Sequence, residues 1–140
     1  MALLALLRLG RMLDNALFLQ TAEKALHATT GQMAQAPSAF PQLAVALAMS
    51  QAKPMQIIIA GTPDTEDTRA LLGEIRRSYL PDRVLLYADG GDGQKWLARQ
   101  MAAIGSMAPL EGKAAAYVCE NFACELPTSD PKVLAELLGK

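Results

Sequence analysis

Residue types suited to chemistry are scarce in this chain, which has one histidine and two cysteines among 140 residues. A single histidine excludes a histidine-rich metal site. It also leaves Ser38, Ser50, Ser78, Ser106 and Ser129 without a motif that would activate any of them as a nucleophile. Charge of one sign is missing too. Thirteen basic residues stand against fourteen acidic ones, a net charge of -1, so no positive field marks nucleic acid or an anionic membrane as a partner. The apolar opening MALLALLRLGRML lacks a basic lead-in and a cleavage site, is interrupted by Arg8, and is too short to cross a bilayer. With so few cysteines and no export signal, the expected location is the cytoplasm. Neither GxGxxG nor GxxxxGK[ST] occurs, and no cofactor is expected.

Hydrophobic residues make up 51% of the chain and aromatics only 5%. Such a mix favours helices with some interleaved sheet over an all-β sandwich. The length suits one domain or two very small ones. Residues 1–53 read as a helical unit and residues 54–140 as a small α/β module.

Leu3, Leu4, Leu6, Leu7, Leu9 and Leu13 wrap apolar surface around nearly every side of a first helix. A second helix, residues 14–35, carries Leu19, Ala22, Leu26 and Met33 at helical spacing, with Asp14 or Asn15 as N-cap. Ala36 to Pro41 punctuate the chain, and a third helix starts there, capped by Ser38. His27 lies on a polar flank near Glu23 and is expected to face solvent.

After Pro54 the period changes. Gln56–Ala60, Arg83–Ala88 and Ala114–Cys119 are short apolar runs suited to buried strands, and the run Ile57-Ile58-Ile59 suits an interior strand. Between them, Pro63 opens a helix whose inner face is Thr68, Leu71, Leu72, Ile75 and Tyr79. Asp89 to Gly93 form a turn leading to a helix with Trp96, Leu97, Met101 and Ile104 inward. Asp130-Pro131 caps a last helix that buries Val133, Leu134, Leu137 and Leu138. Strands alternating with helices imply an α/β fold with a small, three-stranded, mainly parallel sheet flanked by helices and preceded by an N-terminal helical hairpin.

Ligands of parallel sheets gather at the carboxyl ends of the strands. The ligand-binding candidates are therefore Gly61, Thr62 and Asp64 in one loop and Asp89 and Asp92 in the other. Asp64, Glu66 and Asp67 would repel phosphate at the helix start, and the DGGDG loop lacks the further acid of a calcium loop. No metal site and no catalytic residue is assigned. Cys119 and Cys124 are the redox candidates. In an extended strand their Cα atoms would stand about 16 Å apart, against the ~7 Å a disulfide permits. A turn at Asn121-Phe122 would be needed to join them, and buried structural thiols are the favoured reading.

Ala36-Pro37-Ser38-Ala39-Phe40-Pro41, the strand before Gly61, and Tyr117-Val118-Cys119-Glu120-Asn121-Phe122-Ala123-Cys124 with Pro127 and Asp130 occur together. With them the chain resembles the C-terminal end of the thioredoxin-domain-containing, spermatogenesis-associated protein family. The resemblance implies longer proteins in which a thioredoxin-like domain precedes an α/α toroid of the six-hairpin glycosidase type, followed by this module. It assigns no catalytic residue here. On this reading the chain is a non-catalytic structural or interaction module, its helical unit a remnant of the toroid. Its partner would be the toroid or a second copy bound through the N-terminal helices. The alternative is a ligand-binding or thiol-redox domain using the strand-end loops or Cys119 and Cys124.

Overall fold

Leucine at successive helical turns needs cover, and in the first unit three helices supply it for one another. A computed structural model describes residues 2–121 and 123–139, and its chain divides into two units, Met1–Pro54 and Met55–Lys140. In the first unit, α1 (Ala2–Leu13), α2 (Ala16–Gln35) and α3 (Pro41–Gln51) surround a core of Leu4, Leu7, Ala22, Leu26, Ala46 and Met49. The third helix stands where the sequence placed it, so the N-terminal hairpin is extended to a three-helix unit. Asn15 caps α2 by accepting a hydrogen bond from the Phe18 amide at 3.2 Å. Ser38 does not cap α3. It sits in a 3-10 turn, Pro37–Ala39, and Phe40 takes the N-cap position without a side-chain bond.

The second unit runs β1 (Met55–Ala60), α4 (Glu66–Arg77), β2 (Arg83–Ala88), α5 (Asp92–Gln100), a 3-10 turn at Ala102–Ser106, β3 (Ala115–Glu120), β4 (Ala123–Cys124) and α6 (Pro131–Leu138). The sheet has four strands in the order β2-β1-β3-β4. Its pairing corrects the expected three-stranded, mainly parallel sheet. β1 and β2 are parallel, but β3 is antiparallel to β1, and β4 is antiparallel to β3. The reason lies in the connection after α5. A tight reversal, with the Leu110 and Lys113 backbones bonded to each other and Glu111 and Gly112 at φ 49° and 79°, precedes β3. Ala115 then pairs with Ala60, so β3 begins at the carboxyl end of β1 and runs back along it. A helix between two strands implies parallel pairing only when the connection is a single crossover, and here it has a second leg.

Ile57, Ile58 and Ile59 are fully buried, as their apolar run requires, and β1 lies inside the sheet. On one face Ile57, Ile59, Ala116 and Val118 meet Leu71, Leu72 and Ile75 of α4 and Leu134 and Leu138 of α6. Ile58, Leu86 and Cys119 are buried on the other face.

Several inward assignments need correction. Pro63 does not start α4, whose N-cap is Thr65. Tyr79 lies beyond the end of α4 and is 90% exposed. Trp96 and Val133 are half exposed, because α5 and α6 are short and lay only a narrow stripe on the sheet. Asp130 caps α6 as expected, accepting from the Lys132 amide at 2.8 Å with Pro131 in the first turn.

Because Ile57 is enclosed by α4, α6 and both neighbouring strands, Ile57→Ala is predicted to destabilise the α/β unit by about 2–5 kcal/mol. A urea titration followed by circular dichroism checks this. A loss under about 1 kcal/mol would mean that the strand does not occupy the core.

Candidate functional site

The two candidate loops sit side by side at the carboxyl ends of the parallel pair, because Ala60 and Ala88 are register partners and the Gly61 amide donates to the Ala88 carbonyl. Gly61 is required there by space. A Cβ would stand 2.8 Å from the Ala114 Cβ and 3.0 Å from the Thr68 hydroxyl. Beyond it the loop closes on itself, the Thr62 carbonyl accepting from both the Thr65 and the Thr68 hydroxyls at 2.9 Å. Asp64 takes a left-handed conformation, φ 66°, and its carboxylate lies 3.8 Å from the Arg69 guanidinium, both groups being exposed.

In the second loop Asp89 accepts from the Gly91 amide at 2.9 Å, and Asp92 opens α5 and pairs with Lys95 at 3.0 Å. Gln94 ties this loop down. Its side-chain oxygen accepts from the Gly90 amide at 2.7 Å, while its nitrogen donates to the Ile104 and Met107 carbonyls at 2.7 and 3.0 Å. Burial of Gln94 was not legible in the sequence, where it follows the Asp89 to Gly93 turn as one more polar residue. Among the described residues no group of three histidine, cysteine or acidic side chains is placed to hold a metal ion.

Asp67 is the carboxylate that sequence reasoning passed over. Its Oδ2 accepts from the Ala114 amide at 2.7 Å and its Oδ1 from the Thr68 amide at 2.9 Å. The Ala114 amide, then the Thr65 side chain and the Thr68 amide, hold its pKa down to about 2. One side chain thus joins the first turn of α4 to the start of β3. In sequence it looked like one of three acids at a helix N-terminus, and only the fold supplies its distant donor.

Cys119 and Cys124 are joined in a disulfide. The favoured reading of buried thiols is corrected, and so is the distance argument against pairing. The chain reverses between Glu120 and Ala123, with Asn121 in the left-handed region at φ 48°. The two cysteines are thereby directly opposed, their Cα atoms 3.8 Å apart. Cys119 is buried and Cys124 exposed. Phe122, which completes the motif, lies outside the described residues.

The helical unit holds an open cavity of about 440 Å³ lined by Leu7, Leu19, Leu26 and Leu47, with Arg11 in its wall and Glu23 and His27 on its polar side. His27 is largely exposed, its ring 4.0 Å from the Glu23 carboxylate. The buried Arg11 donates to the Met49 and Ala52 carbonyls at the end of α3. Leu4, Leu7 and Arg11 share one helical face, and that spacing was the sequence signal for its burial.

Spermatogenesis-associated protein 20 of Homo sapiens is 40% identical over 113 residues, which are 81% of this chain and 14% of that protein. The chain is homologous to part of spermatogenesis-associated protein 20. The Rattus norvegicus and Mus musculus proteins of that name are each 38% identical over 113 residues. The chain therefore spans 14% of the length of these relatives. No family model matches it, and no solved structure does.

The low pKa of Asp67 sets a sign for acid stability. Its folded value lies below the ordinary value of 3.8, so its contribution is present above about pH 4 and is lost as pH falls through about 2. Asp67→Asn is predicted to melt below the parent at pH 7, and the gap to narrow towards pH 2. Thermal melts across that range check it, and a gap that stays constant with pH would show that the carboxylate charge plays no part.

Proposed function

We propose that this chain is a non-catalytic interaction module, and that it forms the C-terminal end of a longer protein of the spermatogenesis-associated protein 20 kind. The observation that carries the reading is the apolar surface of the helical unit. Leu17 is 68% exposed, Val45 47% and Leu9 41%, and the leucine-lined cavity is open. Leu4 and Leu7 are taken up in the unit's own core and Leu3 and Leu6 pack against it, so these exposed side chains and the open cavity are what support an interaction surface. The occupant that fits the homology is the remainder of the longer chain, an α/α toroid in the resemblance drawn from the sequence. In its absence a second copy can cover the same face across a two-fold axis. Covering about 600 Å² per subunit contributes on the order of 15 kcal/mol of gross transfer free energy at ~25 cal/mol/Å², of which association costs offset a large part.

The strand-end loops support the non-catalytic part of the reading. Asp64, Asp89 and Asp92 each have a partner within their own loop or the adjoining helix, and the Thr62 carbonyl is doubly bonded inside its turn. The cytoplasmic setting belongs to the same proposal. It requires the Cys119–Cys124 disulfide to be a transient one, since lasting disulfides are rare in reducing compartments; no described helix is long and apolar enough to cross a membrane.

Light scattering over a dilution series tests the docking surface. The 14.9 kDa chain is predicted to approach twice its monomer mass at high micromolar concentration. Leu17→Glu and Val45→Glu together are predicted to return it to monomer with helical content unchanged. A parent chain that stays monomeric at high micromolar concentration, with its helices intact, would defeat the self-association.

A further inference from the structure

The disulfide joins two sulfurs in unlike surroundings, and this carries an inference independent of the docking surface. Cys119 lies in β3, 1% exposed, beside the buried interior of the sheet, whereas Cys124 lies in a two-residue edge strand and is exposed. We propose that the Cys119–Cys124 bond is a reversible latch on the β3–β4 pairing, opened by a dithiol reductant that attacks the sulfur of Cys124, the residue of the pair that is exposed.

Access decides which sulfur is attacked. A reductant thiolate forms a bond to the Cys124 Sγ, and the electron pair of the broken S–S bond leaves on the Cys119 Sγ, which takes up a proton. The product is a mixed disulfide between the reductant and Cys124. Cys119 is register partner to Cys124 and remains directly opposite this mixed disulfide. A monothiol adduct is therefore expelled by return attack of Cys119, which acts at a high effective concentration. A dithiol avoids this outcome. Its second thiol attacks its own bonded sulfur, releases Cys124 as a thiol, and leaves as an intramolecular disulfide. Two electrons and two protons pass from the dithiol to the cysteine pair.

The latch has a defined reach. β4 is held to β3 by two register pairs, Cys119 with Cys124 and Glu120 with Ala123, and next to them the Glu125 amide donates to the Val118 carbonyl at 2.9 Å. Further along, Thr128 and Ala116 exchange two backbone hydrogen bonds at 2.8 and 3.0 Å, and Asp130 caps α6. Opening the disulfide loosens Ala123 to Leu126, which are exposed, and leaves the Thr128 anchor in place. A pair that opens in this way suits a reducing compartment, where the disulfides that form are chiefly transient ones.

Alkylation and hydrogen exchange on the native chain test the latch. The air-equilibrated protein is expected to carry the disulfide. Dithiothreitol without denaturant is expected to make both cysteines alkylatable, and glutathione at equal thiol concentration to leave them largely unmodified. On reduction the Glu125 amide is expected to exchange at least about tenfold faster while the Thr128 amide keeps its rate. Cys119→Ser with Cys124→Ser should reproduce the fast Glu125 exchange without reductant. Three results would overturn the proposal. They are free thiols in the air-equilibrated protein, reduction only after denaturation, and a Glu125 amide indifferent to reduction of the native chain.

Discussion

Three successive isoleucines, Ile57 to Ile59, are wholly withdrawn from water, and the α/β unit is arranged to keep them so. A strand that is apolar on both faces needs cover above and below and a hydrogen-bonded neighbour along each edge. β2 supplies one edge in parallel and β3 the other in antiparallel. Helices α4 and α6 cover the face carrying Ile57 and Ile59. The polar ends of these elements must then find partners close by, because backbone groups partly buried where the elements meet need hydrogen bonds.

That demand explains why so much polar chemistry at the strand ends is turned inward. Asp67 accepts the Ala114 amide where β3 begins, the threonine hydroxyls close the loop after Gly61, and Gln94 fastens the glycine-rich loop to the carbonyls of Ile104 and Met107. Each of these side chains holds backbone in place. The position at the carboxyl ends of parallel strands is a common ligand site in larger α/β proteins. Here Asp67 and the threonines tie the corner where β1, α4 and β3 meet, and Gln94 ties the loop after β2.

The helical unit has another balance. Its core is small, and leucines on its outer faces keep substantial contact with water. The homology to spermatogenesis-associated protein 20 covers a short part of that protein. Sequence identity near 40% reaches 81% of the chain, so what is shared extends well beyond one motif.

Local pattern was enough to place most elements. The isoleucine run marked β1, the Arg83 to Ala88 run marked β2, and Asp130 with Pro131 marked the start of α6, because each signal is carried by residues adjacent in the chain. The sequence also determined that the chain has two parts of different period, and its motif was sufficient to indicate the relatives. Strand direction, the fourth strand and the partners of Asp67 were decided only by tertiary structure. They depend on the reversal at Leu110 to Lys113 and on a donor 47 positions away, which no local period encodes. The cysteines show the same limit at shorter range. Their spacing allowed either two separate thiols or a bond, and only the left-handed Asn121, which turns β3 back on itself, brings Cys124 opposite Cys119.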